Sequence, residues 1–136
     1  MQNSIIHKAI LLFLGLFLVI FGGWRITDPI GFYALSGLTL EADASLLNEA
    51  RGAGGIIAAS GFVVISGAIF SAMAFTSSVI SVLVFWSFAA ARVFGIAVDG
   101  LPNGMILQGL FFEMLFGFVG AFTLLRYRIV AKSVHT

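Results

Sequence analysis

The sequence predicts an all-α integral membrane protein, a four-helix bundle with a short interfacial helix in its first outer connection. Three observations predict it. Hydrophobic residues make up 60% of the chain and charged residues 10%, with a mean hydropathy of +1.12, against roughly 25% charged residues in soluble domains. The apolar residues gather in four segments, each near the roughly 20 residues that cross a bilayer. Polar and turn-forming residues fall between these segments, so 136 residues make a single membrane domain with no room inside it for a soluble catalytic domain.

The first segment, residues 5–26, runs AILLFLGLFLVIFGGW after His7 and Lys8 and ends on Trp24, an aromatic suited to the interface. It reads as a span and not as a cleaved signal peptide, because the nearest small-x-small site, Ala42-Asp43-Ala44, lies well past the apolar run. Residues 25–48 are too polar in their second half to cross. Within them Asp28 as N-cap, Pro29 at the first helical position and Gly37 as a stop predict the short surface helix. Asp43 or Ser45 then caps a second span over 46–75. Thr76 to Ser78 are expected to make a tight turn into a third span, 77–98. Asp99-Gly100-Leu101-Pro102-Asn103-Gly104 turns the chain into the fourth, 104–126.

Lys8, Arg126, Arg128 and Lys132 flank the two termini, whereas Asp28, Glu41, Asp43, Glu49 and Asp99 collect at the other side. The positive-inside bias therefore predicts a multi-pass protein of a bacterial inner membrane with both termini cytoplasmic. A net charge of +1 without a Lys/Arg cluster offers no footprint for nucleic acid. With no cysteine and with His7 and His135 near opposite termini, thiolate sites and paired-histidine metal sites have no residues to use, and no cofactor is expected. The fifteen phenylalanines read as lipid-facing and packing residues, and Tyr33 with the acids of the first connection as a solvated loop. The Gly-Ala-Gly-Gly run at 52–55 lacks the Lys-Ser/Thr ending of a phosphate loop and reads as helix-packing glycine.

Polar residues break the apolar segments toward the outer half of the bundle. The second span carries Asn48, Glu49 and Arg51, the third Arg92 and Asp99, and the fourth Gln108 and Glu113. Measured from the turn near Leu101, Arg92 and Glu113 differ in depth by only about 3 Å at 1.5 Å per residue, so the two are within reach of each other. A charge at mid-helix costs roughly 2.5–3.5 kcal/mol to insert and therefore faces the bundle and finds a partner. Gly109, Glu113, Gly117 and Gly120 recur at helical spacing, a small-residue stripe that directs Glu113 inward. Arg92 shares a face with Phe85, Phe88, Ala89, Ile96 and Asp99, and Arg51 shares one with Gly54, Gly55, Ala58 and Phe62.

The string Asn48-Glu49-x-Arg51-Gly52-x-x-Gly55, Arg92 with Asp99-Gly100-x-Pro102, and the lone Glu113 resemble an uncharacterised bacterial membrane family, domain of unknown function 4345, over roughly residues 8–128. The resemblance implies four helices and a shared outer polar cluster built from Asn48, Glu49, Arg51, Arg92, Asp99 and Glu113. It implies no activity.

Three readings of that cluster follow. In the first, Arg51 and Arg92 hold the head of a lipid-like or quinone-like amphiphile, Glu113 and Asp99 position the arginines, and the tail lies along Phe62, Phe85 and Phe88. In the second, the charges are a satisfied network that fixes helix order, and glycine faces at Gly15, Gly22, Gly23, Gly61 and Gly67 dock a larger membrane complex or a second copy of the chain. The third, an enzyme using Glu113 as acid or base, ranks last because an adjacent arginine favours the charged carboxylate. Membrane lipids are the partners in every case.

Overall fold

The computed structural model describes residues 4–133, with side chains through Tyr127. Its elements are α1 (Ile5–Thr27), α2 (Pro29–Leu35), α3 (Ala44–Ile69), a 3-10 turn (Ser71–Met73), α4 (Ala74–Asp99) and α5 (Gly104–Ser133). Four of the helices are long and apolar enough to cross a membrane, and no strand occurs among the described residues. The protein is an all-α membrane helical bundle.

Local chemistry sets the helix ends. The Asp28 carboxylate accepts from the Gly31 amide at 2.9 Å and Pro29 opens α2, as the sequence predicts. Asp43, not Ser45, caps α3 by accepting from the Ser45 and Leu46 amides. Gly37 and Gly100, at φ +70° and +93°, take the left-handed conformation that stops α2 and α4. Asn103 accepts from the Ile106 amide at 3.0 Å and starts α5.

The turn between α3 and α4 differs from expectation. It occupies Phe70–Met73, so α3 stops six residues short of the expected 75, and Thr76 to Ser78 lie inside α4. The serines read as turn formers are buried. The Ser77 hydroxyl donates to the Val63 carbonyl at 2.6 Å and that of Ser78 to the Ala74 carbonyl at 2.8 Å. A serine whose hydroxyl finds a carbonyl in this way sits inside a helix without an unpaired polar group.

α1 lies closest to α3. A Cβ on Gly22 would fall on the Ala58 backbone nitrogen, one on Gly61 would come within 2.7 Å of the Gly15 carbonyl, and one on Gly15 within 2.9 Å of the Gly61 carbonyl. Gly67 similarly admits Ser77 of α4. Gly15, Gly22, Gly61 and Gly67, expected to dock another protein, therefore pack helices of this chain against each other, whereas Gly23 faces open space. Between helices in a bilayer such close backbone approach supplies the van der Waals attraction that the hydrophobic effect does not. Leu11, Leu14, Leu18, Val64 and Phe85 fill the core. α4 packs on both α3 and α5, whereas α1 and α5 meet chiefly through phenylalanine rings.

At the end of the bundle that holds the start of α1, His7 is buried with its Nε2 2.9 Å from the Ser78 hydroxyl and its ring edge-on to Tyr127. The Ser78 hydroxyl thus lies within hydrogen-bond distance of both the His7 ring nitrogen and the Ala74 carbonyl. Ser78→Ala leaves the buried His7 Nε2 without this partner and is expected to lower stability by about 1–3 kcal/mol, readable as a fall in Tm in detergent. The basic residues Arg128 and Lys132 lie beyond the described side chains and His135 outside the described residues.

Candidate functional site: an aromatic cavity closed by two arginines

α4 and α5 bring Arg92 and Glu113 together. The Arg92 Nε donates to both carboxylate oxygens of Glu113, at 3.0 and 2.8 Å. This is the one ion pair among the described residues. The Glu113 side chain is 15% exposed and that of Arg92 34%. The small residues around Glu113 serve their expected purpose. Gly117 and Gly120 let α5 approach Trp86 and Ser81 on α4, which turns Glu113 inward with them.

The other four residues of the predicted cluster stand apart from this pair. Asp99 is exposed at the end of α4 and lines a small cleft of about 200 Å³ that Arg92 also borders, with Gly95, Pro102 and Ile106 between them. Arg51 is exposed, and its Nε donates to the Ile26 carbonyl at 2.9 Å, closing the C-terminal end of α1. Asn48 and Glu49 are exposed on the first turns of α3. The reason is rotational. Ala50, Gly54, Ala58 and Gly61 are the buried face of α3 against α1. At about 100° per residue, Glu49 and Arg51 then flank that face on opposite sides.

The second arginine of the site is Arg25, which the sequence places at the start of the first outer connection and the structure in the last turn of α1. Its Nε donates to the Ala50 carbonyl at 3.0 Å, and Nη2 donates to the Tyr33 hydroxyl. The guanidinium lies 4.9 Å from the Tyr33 ring centre and 5.8 Å from that of Phe32. Tyr33 is therefore half-buried against an arginine, where the sequence reading placed it in a solvated loop. A signal for Arg25 was present: it continues the buried face Leu11, Leu14, Leu18, Gly22 at helical spacing. Tyr33 carries no comparable signal, since only the fold-back of α2 brings it to α1.

Arg25, Arg92, Glu113 and Tyr33 border one cavity of about 410 Å³ between α1, α4 and α5. Eight of the fifteen phenylalanines line it: Phe13, Phe17 and Phe21 from α1, Phe32 from α2, Phe85 and Phe88 from α4, Phe112 and Phe116 from α5. Phe85 and Phe88 lie where the tail-binding reading expected them. Phe62, assigned the same role, is 63% exposed on the outside of α3. Ser36 and Leu38 complete the roof, which Asn103 ties to α5 by donating Nδ2 to the Ser36 carbonyl at 2.9 Å.

The chemistry available is recognition. A phenylalanine-lined groove can receive an apolar body, and two guanidiniums, a phenol and a carboxylate already held by Arg92 border it. No group of three or more metal-ligating side chains forms among the described residues. The family described as Domain of unknown function (DUF4345) matches residues 6–124. No curated protein and no solved structure matches the chain.

Proposed function

The chain belongs to the family Domain of unknown function (DUF4345), and from that premise we propose that it is a membrane binding protein for a lipid-like or quinone-like amphiphile. The observation that carries this reading is the phenylalanine-rich cavity whose polar lining residues, Arg25, Tyr33, Ser36, Arg92 and Glu113, come from α2, the turn after it and the portions of α1, α4 and α5 nearest to it. Its volume falls within the roughly 300–1,000 Å³ of small-molecule sites, which are mostly apolar with a few convergent polar groups. The ligand's tail rests among Phe17, Phe85, Phe112 and Phe116, and its head meets the arginines. Arg25, and not the exposed Arg51 that the sequence suggests, is the second arginine. The site faces the outer leaflet of a bacterial inner membrane with both termini cytoplasmic. Supporting this orientation, the helices place Lys8 and Arg126 at one end and Asp28, Asp43 and Asp99 at the other.

Native mass spectrometry of the protein gently extracted from its own membrane tests the reading. A lone chain carrying a reproducible small adduct is expected. Gly109 lines the cavity, and a Cβ there would meet only an Arg92 nitrogen, at 3.9 Å, so the backbone admits a side chain at this position and Gly109→Phe is aimed at the space. That variant is expected to lose the adduct and keep its Tm. An adduct that persists in Gly109→Phe, or a chain found only in stoichiometric association with larger subunits and free of any adduct, would overturn the proposal in favour of an accessory role.

A further inference from the structure

Resting on that binding site, we infer that the ligand's head is a singly charged oxyanion, a carboxylate carried on one apolar chain. The tail does not decide which membrane molecule enters. A chain moving from lipid into a phenylalanine groove leaves one apolar medium for another and gains little. Discrimination therefore resides at the polar end, where charge can be counted. Arg25 and Arg92 contribute two positive charges and Glu113 one negative, leaving one uncompensated positive charge at the end of an apolar cavity. A monoanion neutralises it. A phosphate monoester dianion would leave the site negative, and a zwitterionic or neutral head would leave its net charge at one positive.

The donors agree with the charge. No carboxylate among the described residues lies within ion-pair distance of Arg25. Its two protein partners, the Ala50 carbonyl and the Tyr33 hydroxyl, use two of its five N–H donors. They also fix the guanidinium plane, so the remaining donors present a fork of the shape a carboxylate accepts in bidentate fashion. Tyr33 accepts from Arg25 and so keeps its own O–H for the same anion. Arg92 engages Glu113 through Nε, and its Nη2 lies beside Gly109, which lines the cavity with it. A volume of about 410 Å³ lies at the small end of the range for ligand sites, as suits a single chain.

The test uses the full chain in nanodiscs of zwitterionic phospholipid, titrated with oleate, methyl oleate and oleyl phosphate at a pH where the fatty acid is ionised. Charge-assisted hydrogen bonds contribute roughly 1.5–3 kcal/mol net, so oleate is expected to bind about 10- to 100-fold more tightly than its methyl ester. Arg25→Gln should bring oleate down to the level of the ester, whereas Arg25→Lys and Tyr33→Phe retain part of the preference. The Tyr33→Phe comparison keeps the test decisive if Arg25→Gln folds poorly. Equal binding of oleate and methyl oleate overturns the inference while leaving the amphiphile site standing, as does an unchanged preference in Arg25→Gln. Tighter binding of oleyl phosphate than of oleate overturns the single charge. Failure of all three probes to bind, together with the absence of a native adduct, overturns both.

Discussion

Arg92→Leu is expected to lower stability by about 3 kcal/mol, and Arg92→Leu combined with Glu113→Leu to restore most of it. Removing one partner of a buried ion pair costs roughly 3–5 kcal/mol because the other charge is left uncompensated, whereas replacing both by apolar residues is often close to neutral. Arg92 is 34% exposed on its side chain, which puts the loss at the lower end of that range; Glu113, at 15%, is the member left stranded. The two single variants are not equivalent. Without Glu113, the long Arg92 side chain can turn to the cleft it shares with Asp99, while without Arg92 the short Glu113 side chain has no such route. Arg92→Leu should therefore be the more damaging. Thermal unfolding in detergent, followed through Trp24 and Trp86, reads all three variants. A double variant no more stable than Arg92→Leu would show that the pair is not what the bundle needs.

Gly22→Val is expected to have an effect at least as large. A Cβ at Gly22 meets the Ala58 nitrogen and comes within 2.7 Å of the Gly54 carbonyl, both backbone atoms of α3. A side chain can rotate away from an intruding methyl group, but a helix backbone cannot. Overpacking of an ordinary core costs about 1–3 kcal/mol, and here the only relief is to separate α1 from α3. A loss of about 3 kcal/mol or more, or failure to accumulate in the membrane, follows. Gly23→Val is the control, because a Cβ at Gly23 meets nothing within 4 Å. Similar behaviour of the two variants would show that the α1–α3 contact does not hold the bundle together.

These two contacts also mark how far the sequence could be read. The four spans were legible because hydropathy and helical period are local properties of each segment. So were the cap at Asp28, the stop at Gly37 and the inward turn of Glu113 on its glycine stripe, whereas the cap of α3 was narrowed only to Asp43 or Ser45. The Arg92–Glu113 pair was within reach of the same reasoning, since a short turn ties α4 to α5 and sets their relative depth. The family was legible in its motifs, and the match over residues 6–124 supports it. The turn at Phe70–Met73 was not. Serines resemble turn formers until a carbonyl on a neighbouring helix, such as that of Val63, accepts their protons.

The sequence by itself determined the class of the molecule and its four apolar helices, and it put the two mid-helix charges, Arg92 and Glu113, at depths within reach of each other; the structure made them partners. Only the tertiary structure decided which polar residues share a site. That choice depends on how α3 is rotated about its axis, and the glycine contact with α1 sets the rotation through atoms far apart along the chain. The contact turns Arg51 outward and brings the Ala50 carbonyl to Arg25, while the fold-back of α2 delivers Tyr33 to the same guanidinium. A hydropathy pattern records which residues avoid water, but the azimuth of one helix against another is a property of the pair, and neither helix carries it alone.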